Sequence, residues 1–205
     1  MGREILCWAK SGGKWHQGEA LLETSEVIFR GDLRLKIPFA SLKSVVARDG
    51  ELHLEWASGT AVFELGPQAE KWAHTILHPK STVEKLGIKP GLKISAFRMP
   101  DDAPMKDARQ AAAQFADVKP LMDSDAIFFA ASSEGELTGI RKLLPSLASN
   151  GALWIVYPKG RKEITELQVL NAGRAAGLYD IKVVSYSPTH TALKFVRPKD
   201  KGRSM

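Results

Sequence analysis

The stretch Gly151-Ala152-Leu153-Trp154-Ile155-Val156-Tyr157-Pro158-Lys159-Gly160 restricts the fold more than any other. It carries large apolar residues and no charge until Lys159. Gly151 opens it and Pro158-Lys159-Gly160 closes it. A run this short, bracketed by chain breakers, predicts a strand buried on both faces. Such strands belong to parallel sheets covered by helices, and ligands there bind beyond the carboxyl ends of the strands. Lys159 and Arg161 sit at such an end.

The flanking sequence fits that frame. Leu92 to Phe97 reads as a strand and Pro104 to Phe115 as a helix, with Met105, Ala108, Ala112 and Phe115 on one face. Ala126 to Ala130 is the next buried strand. Leu137 to Leu147 follows as a helix with Pro145 near its end. Ile164 to Ala176 is a third helix, and Gly177 suits its C-cap. Ile181 to Tyr186 and Leu193 to Val196 have only Ser187-Pro188-Thr189 as their main turn signal, so they form an antiparallel hairpin at the sheet edge. Strand–helix alternation implies parallel strands and right-handed crossovers.

The first part of the chain has a different texture. In Glu51-Leu52-His53-Leu54-Glu55-Trp56 apolar residues fall on every second position, which is the side-chain period of a strand. Asp49-Gly50 before it is a hairpin signal, because a tight turn needs positive φ. Ile5 to Ala9, His16 to Leu22, Val27 to Arg30, Leu33 to Ile37, Leu42 to Arg48 and Ala61 to Leu65 complete about seven strands, as in a small barrel or sandwich. Gly66-Pro67 then opens a helix whose Ala69, Trp72, Ala73, Ile76 and Leu77 share one face. Trp72 is placed to plug the barrel.

Charge divides the chain in the same way. Residues 1–78 carry 9 Lys/Arg against 10 Asp/Glu, and residues 79–205 carry 20 against 13. The sequence thus predicts a β-domain over 1–78, a linker over 79–90, an α/β domain over 91–198 and a basic tail over 199–205. No apolar run approaches the ~20 residues that span a bilayer. Met1-Gly2-Arg3-Glu4 lacks the apolar core of a signal peptide. The single cysteine, Cys7, rules out an intramolecular disulfide and reads as a small buried hydrophobe. A cytoplasmic protein is expected.

At the strand ends the sequence collects Arg98, Asp101-Asp102, Ser132-Ser133-Glu134, Lys159 and Arg161. Arg98, Ser132, Lys159 and Arg161 are the candidate ligands for a small anion, through charge-assisted contacts. Asp101-Asp102 fits a cap for the helix near Pro104 better than a metal site. Ser133 with Glu136 fits a capping box. The five histidines have no metal-ligand spacing, so no metal and no cofactor is implied. Lys159-Gly160-Arg161-Lys162 is basic, but without interleaved aromatics it does not make a nucleic-acid motif.

Three resemblances attach to these residues. Seven short strands and one amphipathic helix resemble the pleckstrin-homology (PH-like) fold, and Ile37-Pro38-Phe39-Ala40 through Leu65-Gly66-Pro67 and Glu70-Lys71-Trp72 resembles the second half of that domain. Some relatives bind phosphoinositides through the first hairpin loop. Here that loop, Lys10-Ser11-Gly12-Gly13-Lys14, offers two lysines and no arginine. The resemblance therefore implies a protein-contact or self-association module rather than a membrane one.

The α/β half, entered through Pro90-Gly91-Leu92-Lys93-Ile94, resembles the class I methyltransferase-like Rossmann fold in reduced form. Its first turn, Phe97-Arg98-Met99-Pro100-Asp101-Asp102, lacks the glycines that seat the methyl donor. The room between Phe97 and Ala126 allows one helix, so the second and third strands, with their ribose-holding acid, are expected to be missing. Leu86-Gly87-Ile88-Lys89-Pro90-Gly91, Trp154 to Lys159, Ala176-Gly177-Leu178 and Ile181-Lys182-Val183 are similar to a bacterial family of unknown function with a shortened Rossmann-like domain. That family carries a tryptophan in its final hairpin, where this chain has Thr189-His190-Thr191. The expectation is a non-catalytic interaction or regulatory protein that holds a small anion at the strand ends. The alternative is an S-adenosylmethionine-dependent methyltransferase-like enzyme with a degenerate cofactor site.

Overall fold

A computed structural model describes residues 3–198, so the tail at 199–205 lies outside the described residues. The chain divides into two compact units, Met1–Lys80 and Ser81–Met205.

In the first unit the strands are β1 (Arg3–Ser11), β2 (Lys14–Leu22), β3 (Glu26–Gly31), β4 (Leu35–Pro38), β5 (Leu42–Arg48), β6 (Glu51–Trp56) and β7 (Gly59–Glu64). They form one antiparallel sheet in the order β4-β3-β2-β1-β7-β6-β5. Its end strands, β4 and β5, are joined by a single 3₁₀ turn at Phe39–Ser41, so the sheet is nearly closed and barrel-like. Asp49 (φ 51°) and Gly50 (φ 80°) both take the left-handed backbone that the β5–β6 turn requires. After a 3₁₀ turn containing Pro67, helix α1 (Ala69–Leu77) buries Ala69, Trp72, Ala73 and Ile76. Trp72 is fully buried in one cluster with Leu52, Leu54 and Phe63.

The second unit holds β8 (Lys93–Phe97), β9 (Gln114–Ala116), β10 (Ser124–Ala130), β11 (Leu147–Pro158), β12 (Tyr179–Ser185) and β13 (His190–Val196). Their order is β12-β13-β11-β10-β8-β9. The strands β8 to β11 pair in parallel, and β13 is antiparallel to both β11 and β12. Leu153, Ile155 and Tyr157 face one core, with the segment 134–146 and helix α5 (Glu166–Ala175) packed on it. Trp154 and Val156 face the other, under helices α2 (Thr82–Leu86) and α3 (Ala103–Ala111). A Cβ at Gly173 would lie 2.2 Å from the Phe195 ring, so α5 can approach β13 this closely only with glycine there. Among the described residues no helix is long and apolar enough to cross a membrane.

Four expectations need correction. The segment 79–90 is more than a linker: Ser81 and Glu84 form a capping box that starts α2, and Leu86 and Ile88 are buried in the core. Helix α3 stops at Ala111 instead of Phe115. Ala113 N–H then bonds Leu92 O at 2.9 Å, and Phe115 enters the ladder opposite Ile94. A second strand, β9, is therefore present. The segment 134–146 is mostly 3₁₀, with one α-helical turn, α4 (Ile140–Leu143), and Leu147 already belongs to β11. Pro145 lies in the last 3₁₀ turn, where its missing N–H is tolerated.

The loop 117–123 runs from β9 straight to β10, which leaves no third strand among the described residues of this segment. Two fully buried serines hold it. The Ser124 hydroxyl donates to Leu121 O at 2.7 Å, and Leu121 N–H donates to Ser95 Oγ at 3.0 Å. The 2.9 Å contact between the hydroxyls then has Ser95 as donor. All these polar atoms are satisfied without water.

Removing one partner leaves buried polar atoms unpaired. Ser95→Ala is expected to cost about 1–3 kcal/mol in denaturant unfolding. Trp72→Ala, which empties the middle of the first core, is expected to cost about 3–5 kcal/mol, with the loss read in the same titration.

Candidate functional site

Parallel strands β8, β9, β10 and β11 present their carboxyl ends together, and the turn after β8 sets the shape of that rim. Arg98 has φ 59°, a left-handed backbone that a residue with a Cβ adopts only at a cost of about 1–2 kcal/mol. The turn then reaches Asp102, whose Oδ1 accepts Met105 N–H at 3.2 Å and caps α3 as expected. The same oxygen accepts the Tyr186 hydroxyl at 2.7 Å. Burial, with Asp102 beside it, pushes the Tyr186 phenol far above its usual range, so this hydroxyl stays a donor. Tyr157 is raised in the same way, by burial and then by Glu166, which accepts its hydroxyl at 3.0 Å.

The four candidate anion ligands divide into separate local arrangements. Arg98 Nη2 donates to Glu136 Oε1, and Ser132 N–H donates to Glu136 Oε2 at 2.7 Å. Arg98 and Ser132 thus meet through a carboxylate. The Ser132 N–H above all, with the Arg98 guanidinium, holds Glu136 below the usual carboxylate range. Ser133 occupies the cap position but its side chain makes no cap bond, and the Glu136 N–H bonds Ser133 O at 3.2 Å instead. Lys159 Nζ donates to Ser185 Oγ and to Ser187 O, both at 2.8 Å, tying β11 to the β12–β13 turn. Arg161 lies 3.7 Å from Glu163. Among the described residues neither Lys159 nor Arg161 shares a bond or ion pair with Arg98 or Ser132. No group of three His, Cys, Asp or Glu among the described residues is placed to hold a metal.

Beside the Arg98 turn lies a cleft of about 220 Å³, lined by Arg98, Met99, Asp101, Arg109, Phe115 and Asp117 among others. Asp117 follows β9 directly, at its carboxyl end. Arg109, from α3, donates to Asp117 Oδ2 at 2.8 Å and lies 4.2 Å from the Phe115 ring centre. That hydrogen bond lowers the Asp117 carboxyl below its usual range. A larger groove of about 440 Å³ runs between the segment 134–141 and α5. Its floor is Leu137, Ile140, Ala172 and Ala175, and Gln168 and Arg141 already bond Glu134 and Ala175 O across it. It reads as a seam between helical layers, and the chemistry gathers in the smaller cleft.

Sequence pattern alone puts Phe115 on a helix face and gives Arg109 and Asp117 no role, because the apolar period runs on through Phe115. One signal was available. Asp117 stands 20 positions after Phe97, about the spacing at which Rossmann-type folds place their ribose-holding acid.

No protein-family model matches the chain, and no curated protein does. Solved structures similar to parts of it include methyltransferases and a PH domain. A SAM-dependent methyltransferase from Aquifex aeolicus is 16% identical, with 55% of this chain and 86% of that one aligned and a TM-score of 0.45. Magnesium protoporphyrin IX methyltransferase from Synechocystis PCC 6803 is 12% identical over 57% of this chain and 74% of its own, with a TM-score of 0.43. The N-terminal PH domain of human ARAP2 is 12% identical over 38% and 77%, with a TM-score of 0.33. Methyltransferase-like and PH-like folds are thus among the neighbours. Likeness at this level carries no functional argument, which rests instead on strand order and on the residues at the strand ends.

Glu136 offers a direct check of the rim. Its lowered pKa means that the stability it contributes is present above about pH 4.5 and is lost as pH falls through its folded-state value. Carboxyl ¹³C titration should find Glu136 below 4.5, and Arg98→Ala should raise it only part of the way, because the Ser132 N–H remains.

Proposed function

We propose that the α/β unit is a methyltransferase-like module that binds an adenosyl compound of the S-adenosylmethionine class in the cleft at the ends of β8 and β9. The observation that carries this reading is Asp117. It stands at the end of the second strand and lines one cleft with the Arg98 turn. A carboxylate there hydrogen-bonds a ribose. Phe115 and Met99 offer apolar surface to a flat base. The left-handed Arg98 gives the turn a backbone shape that glycine supplies at no steric cost.

A second reading draws on Arg109. Its guanidinium makes the two contacts a nucleoside would use, one to the Phe115 ring and one to the Asp117 carboxylate. On that reading the cleft is filled by the chain itself, and the protein is a non-catalytic interaction or regulatory module.

Thermal-shift and calorimetric titration of the full chain with S-adenosylmethionine and S-adenosylhomocysteine separate the two. Adenosyl binding predicts stabilisation of about 2.7 kcal/mol at 100 times the dissociation constant. Asp117→Asn should weaken binding about tenfold or more, and Arg109→Ala should strengthen it by opening the cleft. No response from either the natural chain or Arg109→Ala defeats adenosyl binding and leaves the non-catalytic reading.

A further inference from the structure

We propose that the outer face of the β1–β2 hairpin joins two copies of this chain about a two-fold axis passing near Trp8. The inference is independent of the adenosyl cleft, which lies in the other unit.

On β1 the inward residues Ile5, Cys7 and Ala9 belong to the core. The alternate positions carry Leu6 and Trp8, which are 83% and 47% exposed. The strand register sets Leu6 beside Glu19, Trp8 beside Gln17, and Lys10 beside Trp15. Trp15 is 42% exposed, with Lys10 Nζ 5.7 Å from its ring centre. Two tryptophans and a leucine therefore share one outward strip of a regular sheet. An ordinary strand directs polar residues to that side, and a contiguous exposed apolar strip marks a contact surface.

The charges on this strip identify the occupant. On this face Glu4 stands at the open end of the hairpin and Glu19 beside Leu6, while Lys10 stands next to the turn. Arg30, opposite Glu19 on β3, reduces the acidity of the open end without reversing it. A membrane or an acidic partner would match only one end. A second copy turned through 180° matches both, because each basic turn then faces the partner's acidic end across a centre of tryptophan. Tryptophan at the centre of an interface is a common energetic anchor.

Sedimentation velocity of the full chain tests this. A dimer of about twice 22.5 kDa is expected. Trp8→Glu, on the outward face, should keep the far-ultraviolet spectrum and melting temperature while weakening the dimer at least about 30-fold. Two further variants test the charges. Glu4→Lys with Glu19→Lys leaves both ends basic, and Lys10→Glu leaves both acidic. Each alone should be monomeric, and an equimolar mixture should form the dimer again. A natural chain that stays monomeric at its highest soluble concentration overturns the proposal, as does a dimer that survives Trp8→Glu. A monomer that instead co-sediments with phosphatidylserine vesicles, and fails to as Trp8→Glu, overturns it too and assigns the strip to a lipid surface.

Discussion

Every residue of β11 from Gly151 to Tyr157 is buried, and this constraint organises the second unit. A strand with no solvated face must have a layer on each side and a neighbour on each edge. Trp154 and Val156 require the cover that α2 and α3 provide, and Leu153, Ile155 and Tyr157 require α5 and the segment 134–146. The chain can become polar only past Pro158, which is why charge gathers at the strand ends. The rim follows from where the apolar run stops.

Elements specified by neighbouring residues were legible in the sequence. The β5–β6 hairpin follows from Asp49-Gly50, the last turn of α5 from Gly177, and β11 from its own composition. The shortest elements were not. Strand β9 has three residues, too few for a period, and exists because it can pair with β8. Helix α2 has a local signal, Ser81 and Glu84, but it is only five residues long and a glycine and proline turn follows it at once. The segment 134–146 repeats leucine and isoleucine at spacings that suit both α and 3₁₀ geometry, and only the chain path chooses between them.

The candidate site shows the same division. That the turn after β8 lacks glycine is plain in the sequence, but its left-handed residue is not. Glu136 looked like a helix cap and instead bridges Arg98 to Ser132 N–H, a pairing across 38 positions that no local pattern encodes. Asp117 could be recognised only once β9 was placed, since its meaning lies in standing at a strand end. Strand β9 is present contrary to expectation, and the turn after β8 has no glycine.

The remaining tension is between Asp117, which suits a ribose, and Arg109, which already holds it. The two are anchored differently. The loop carrying Asp117 away from β9 is tied down at Leu121 by Ser95 and Ser124, both fully buried. Among the described residues the Arg109 side chain bonds Asp117 and lies over one face of Phe115, with side chains 58% and 52% exposed for the ion pair. An ion pair this open is weak and screened by salt. A nucleoside would have to turn aside one solvated side chain and leave the main chain as it stands. The feature that most resembles a blocked site is the part of it most easily moved.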